Sequence, residues 1–161
     1  MTRRRALVGL ALGLAGCGSK FKTYNGPEVT QLYVQKSARR LYLLHGSQVL
    51  KAYDIDLGGA PVGPKQFEGD RKTPEGGYTI DRRNPNSQYH LSLGLSYPND
   101  ADRAFAMAAG KSPGGDIFIH GRDGKARGKN DWTVGCMAVK DREIQQIYAM
   151  VRVGTPIFIA P

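Results

Sequence analysis

The chain has 161 residues, of which 23 are Lys or Arg and 14 are Asp or Glu, for a formal charge of +9. That length holds one domain with a sizeable core and little more, and 40% apolar with 23% charged residues excludes wholesale disorder. The excess of positive charge suits an anionic partner. No aromatic–basic interleaving or helix-turn-helix pattern accompanies it, so nucleic acid is not the expected one.

The N-terminus has the order of an export signal. Arg3-Arg4-Arg5 is followed by a short apolar run from Ala6 to Ala15, well below the ~20 residues that a spanning helix requires. The run ends in Leu14-Ala15-Gly16-Cys17, which resembles the lipobox of bacterial lipoproteins. Residues 1–16 are therefore expected to be a signal peptide, with Cys17 lipidated and residues 17–28, which include Gly26-Pro27, a polar tether between anchor and domain. Gly18, in place of the Asp that retains lipoproteins at the inner membrane, points to the outer membrane, facing the periplasm. Cys136 is the chain's other cysteine. With Cys17 lipidated no disulfide forms, and Cys136 is left as a lone thiol in an oxidising compartment.

From Val29 the pattern is that of strands. Val29 to Val34 alternates, Arg40 to Leu44 follows, and after a Gly46-Ser47 turn Val49 to Leu57 completes a meander. Residues 58–77, dense in Gly, Pro and charge, are too long for a turn alone. Short strands are predicted at Tyr78 to Ile80, Tyr89 to Leu95, Asp116 to His120 and Ile157 to Ile159. A helix is predicted over Asp100 to Ala109, stopped by Gly110 and Pro113. A second spans Asp141 to Val153, with Ile144, Ile147, Tyr148 and Val151 on one face. The sum is one mainly β domain, residues 29–161, with one or two helices.

The segment with chemical content is Ile119-His120-Gly121, a basic Gly-rich stretch, then Asp131-Trp132-Thr133-Val134-Gly135-Cys136. A thiol performs acyl chemistry as its thiolate and needs a base beside it. His120 at a strand end can be that base, once the following loop returns Cys136 to it. Gly135 allows a sharp turn at the nucleophile, and the N–H groups of Gly135 and Cys136 are candidate oxyanion donors. Thr133 reads as a support for the loop and Trp132 as its packing or a cleft wall. His90 is predicted to alternate in a strand and line the cleft, a structural role being equally open, and Arg122 to Lys129 is a candidate contact for substrate carboxylates. No two of the three histidines and Cys136 stand at a close ligand spacing, so neither metal nor cofactor is expected.

His120-Gly121 followed by Thr133-x-Gly135-Cys136 resembles the signature of the L,D-transpeptidases, the YkuD-type domain. The likeness extends from about Val29 to the C-terminus. It includes Gly63-Pro64-Lys65-Gln66-Phe67-Glu68-Gly69-Asp70 and Thr73-Pro74-Glu75-Gly76, similar to a proteobacterial branch. The resemblance implies a β-sandwich-like fold, Cys136 as nucleophile and His120 as base. It also implies no metal, and a peptidoglycan stem peptide cleaved after its third residue, meso-diaminopimelate. Two positions depart from it. Many members have His where this chain has Val134, and many have Arg where it has Ala138; Arg122, Arg127, Lys129 and Arg142 are the candidate replacements. The implied activity is transfer of the acyl group to an amine. The alternatives are hydrolysis, as an L,D-carboxypeptidase or amidase, and a catalytically degenerate lipoprotein that only binds peptidoglycan.

Overall fold

The computed structural model describes residues 19–122, 124 and 130–161. The signal-peptide and lipidation expectations, Arg127 and Lys129 lie outside the described residues. Three strands, β1 (Gln31–Gln35), β2 (Arg40–His45) and β3 (Gln48–Asp54), form the expected meander, with Gly46 at φ +55° in the β2–β3 turn. They are followed by β4 (Gly76–Asn84), β5 (Ser92–Leu95), α1 (Asp100–Ala108), β6 (Phe118–His120), β7 (Met137–Ala138), α2 (Asp141–Met150) and β8 (Pro156–Ala160).

The eight strands make one mixed sheet in the order β3-β2-β1-β8-β4-β5-β6-β7, with β1–β8 and β6–β7 parallel and all other pairs antiparallel. Strand β4 is the joint. Its first residues pair with β8 and its last with β5, and the register shifts between Ile80 and Arg82. The bent sheet is a half-barrel, the mainly β, sandwich-like architecture expected from the sequence, with two helices. Two residues past β3, Asp56 pairs with Ala138 of β7 through N–H···O bonds of 2.8 and 2.9 Å, which ties the two outermost strands together.

Alternation decides what is buried. Leu32, Val34, Leu41 and Leu43 turn inward, while Tyr33 faces outward against Phe158 on one neighbour and Tyr42 on the other, with ring centroids 6.3 and 6.1 Å apart. Helix α2 buries Ile144, Ile147 and Tyr148, the face predicted from their spacing, and packs on β5 and β6.

Several boundaries differ from expectation. His90 has φ +75° and Asp116 φ +54°, so neither continues a strand; β5 begins at Ser92 and β6 at Phe118. Strand β7 has only two residues, too few for any periodicity to reveal. Residues 19–28 do not hang free as a tether. Lys20 Nζ donates to Pro85 O at 2.6 Å and His90 O at 3.3 Å, Phe21 lies against Tyr148, and Tyr24 packs on the core.

The segment between β3 and β4 is ordered by two buried lysines. Lys36 Nζ donates to Gly63 O (2.7 Å), Thr73 O (3.0 Å) and Glu75 Oε1 (2.7 Å). Lys65 Nζ donates to Phe67 O and Asp70 Oδ1, both at 2.9 Å. Asp70 also accepts from the N–H groups of Gln66, Phe67 and Lys72. Burial pushes its carboxyl up, but these donors outweigh it and hold Asp70 below the usual carboxylate range. Replacing Lys36 with Ala leaves Glu75 and two carbonyls without their donor. That variant is expected to lose about 3 kcal/mol of stability, read as a lower urea midpoint at unchanged m-value.

Candidate active site

His120 and Cys136 are brought together by strand register. In the parallel β6–β7 pair Ile119 stands opposite Met137 and His120 opposite Ala138. Cys136 immediately precedes β7, so it falls opposite Phe118. Because side chains alternate, Cys136, Phe118 and His120 emerge on one face. All three line a cleft of about 330 Å³ together with Ser92, Tyr89 and Asp116.

His120 is buried and fixed from several sides. Its Nδ1 lies 2.6 Å from the Gly121 carbonyl oxygen, which can only accept, so Nδ1 carries the proton and Nε2 is the basic nitrogen of the neutral ring. Tyr89 stacks on the imidazole with centroids 4.4 Å apart, and Trp132 meets it edge-on at 5.8 Å. Gly121 has no room for a side chain: a Cβ there would lie 2.6 Å from Asp141 Oδ1 and 2.7 Å from Tyr89 O. Behind the ring, Asp56 Oδ2 accepts from Trp132 Nε1 at 3.0 Å and from Arg122 Nη2 at 2.6 Å, while the Arg122 N–H donates to Asp141 Oδ1 at 2.7 Å.

The loop before the nucleophile is held by Thr133. Its hydroxyl donates to Cys136 O at 2.7 Å and accepts from Gly135 N–H at 3.1 Å. The Gly135 N–H is thus committed to Thr133, which removes it from the expected oxyanion pair and leaves the Cys136 N–H as the candidate from that pair. Gly135 has φ +138°, and a Cβ there would stand 2.7 Å from Lys72 O, so only glycine lets the loop lie on the 71–73 backbone. At the loop's start, Asp131 accepts from Arg39 Nη2 at 2.7 Å and Leu57 N–H at 2.9 Å. Burial raises the Asp131 carboxyl, but Arg39 and the Leu57 N–H prevail and keep it below its ordinary range.

Cys136 also borders a second cleft, of about 430 Å³, whose lining includes Lys65, Glu68, Arg71, Asp116 and Val134. The thiol and Asp116 are the residues that both clefts share. The remaining expected contacts are elsewhere. His90 turns to α2, where its Nε2 accepts from Gln145 Nε2 at 2.8 Å, and neither it, Trp132 nor Arg122 lines the clefts at Cys136. Tyr89, Asp56, Asp116 and Arg71 went unread in the sequence. Tyr89 adjoins the histidine that was singled out, and the others carried no spacing signal. Among the described residues no group of three His, Cys, Asp or Glu is placed to hold a metal ion.

The model of the YkuD family, the L,D-transpeptidase catalytic domain, matches residues 30–159. The chain belongs to this family. Escherichia coli (strain K12) YafK, a protein of L,D-transpeptidase type, is 30% identical over 146 residues, which cover 88% of this chain and 54% of YafK. The helical cell shape determining protein Pgp2 of Campylobacter jejuni is 26% identical with a TM-score of 0.61, over 90% of this chain and 51% of that one. Bd1075 of Bdellovibrio bacteriovorus is 27% identical with a TM-score of 0.56, over 82% and 48%. The chain therefore spans about half the length of these relatives.

In this YkuD domain Ala138, where many members have Arg, is fully buried against Asp56. Of the candidate replacements, Arg122 brings its guanidinium to Asp56, the residue paired with Ala138, whereas Arg142 stands exposed on α2. Val134, where many members have His, is 73% exposed at the second cleft. Burial pushes the Cys136 thiol above its ordinary 9.0; the Phe118 N–H pulls the other way without reversing it. Raised in this way, the thiol rests protonated near neutrality. Iodoacetamide labelling of the free protein is expected to keep accelerating through pH 9. A plateau below pH 7 would instead reveal a resting thiolate–imidazolium pair.

Proposed function

We propose that the chain is a cysteine-dependent acyltransferase acting on peptidoglycan stem peptides. The observation that carries this reading is the placement of Cys136 and His120 on one face of the β6–β7 pair, at the junction of two clefts. His120 takes the thiol proton and the thiolate attacks the carbonyl at the L-centre of diaminopimelate. The carbon–nitrogen bond breaks, the proton passes to the departing D-alanine amine, and a thioester remains. An amine then takes the acyl group, forming a crosslink or remodelling the wall.

Hydrolysis of the same thioester, as an L,D-carboxypeptidase or amidase, is the second reading. It is favoured by Ala138, which removes the guanidinium that many family members keep beside the nucleophile. Cys17 is proposed to carry a lipid that holds the domain at the outer membrane, facing the periplasm; export and lipidation rest on the order of charge, apolar run and lipobox in residues 1–17.

Incubating the purified protein with disaccharide-tetrapeptide muropeptides and analysing the products by mass spectrometry separates the readings. New 3–3 crosslinked dimers indicate transfer, and tripeptides alone indicate hydrolysis. Binding without turnover would point to a degenerate binder and overturn both. Cys136→Ala is expected to lower turnover at least about 10³-fold, while leaving substrate binding in place.

A further inference from the structure

The second cleft contains two opposite charges that the rest of the fold does not use. Lys65 is spent on Asp70, but among the described residues neither Arg71 nor Glu68 has an ion-pair partner. Arg71 is also held in an uncommon way. Its φ of +56° is unfavourable for a side-chain-bearing residue, and glycine would adopt it at lower cost. Its guanidinium lies on Gly59, where a Cβ would overlap Nη2, and its carbonyl lies on Gly58, where a Cβ would overlap it. Two glycines thus seat Arg71 beside the nucleophile loop.

His120 fixes which part of a substrate reaches this cleft. The imidazolium that has taken the thiol proton returns it to the departing amine, so the leaving group lies on the His120 side, in the first cleft. The acyl residue must then extend past Cys136 and Asp116 into the second. This step rests on the acyl-transfer reading above. A guanidinium and a carboxylate lining one cleft match a side chain that ends in both a carboxylate and an ammonium, as diaminopimelate does and lysine does not. We infer that Arg71 is a specificity-determining residue that takes the side-chain carboxylate of the acyl-donating residue, with Glu68 taking the adjacent ammonium.

The test compares three tetrapeptides whose third residue is meso-diaminopimelate, its side-chain carboxamide, or L-lysine. Turnover is measured with the wild type, and binding is measured by calorimetry with the Cys136→Ala protein. Diaminopimelate is expected to be favoured by about tenfold or more in kcat/KM and in affinity. Arg71→Ala should bring that preference close to one. Gly59→Ala, which keeps Arg71 but displaces a flexible guanidinium, should reduce it while the melting temperature holds. A preference that survives Arg71→Ala, an equal loss on all three peptides, or no binding of any peptide overturns the inference. An Arg71-dependent binding preference in a wild type without turnover would sustain it while overturning the acyl-transfer reading.

Discussion

Asp56 meets Ala138 through two backbone hydrogen bonds, and its carboxylate turns back to hold Trp132 and Arg122. The backbone pair joins the outermost strands of the sheet, one of which is the two-residue β7 next to the nucleophile. Such a short strand has little stability of its own, and its position is set by β6 on one side and Asp56 on the other. The carboxylate in turn fixes the indole that abuts His120. One buried acid therefore sets both the height of the Cys136 thiol and the backing of the His120 ring. Removing it would leave the partly buried Trp132 N–H and Arg122 guanidinium without their acceptor, which costs more than the net worth of the bonds to the extent that water cannot replace it.

The site divides labour between strands and loops. His120 is placed by a strand, a stacked tyrosine and a glycine that tolerates no substitution. Cys136 is placed by a loop that is stiff because Thr133 bridges it from within and Gly135 lets it lie on a second backbone. Burial keeps the thiol protonated at rest. If the chain is exported as proposed, that protonation protects a lone thiol, since oxidation proceeds through the thiolate.

What the sequence discloses follows the range of the signal. The β1–β3 meander, the buried face of α2, and the pairing of His-Gly with Gly-Cys are local or periodic, and they read correctly. The neighbours of His90 alternate as those of a strand do, but a positive φ reverses the chain there and turns its ring to Gln145, leaving the contact with His120 to Tyr89. Asp56 lies 80 positions from Cys136 in a stretch that reads as the end of a strand, and only the closure of the sheet gives it a role. The Gly135 N–H was a fair oxyanion candidate by position, yet Thr133 claims it, a competition between local donors that spacing does not report.

The segment before β1 lies along the domain from Lys20 onward, pinned to the 85–90 turn that walls the His120 cleft. If the lipid is on Cys17, only Gly18 and Ser19 separate it from that first pin, a span of about 10 Å at full extension. The domain then works as a short-leashed tool whose catalytic mouth is kept close to the bilayer. For the proposed activity, that would put wall strands nearest the membrane within its compass and those farther out beyond it, whatever their chemistry.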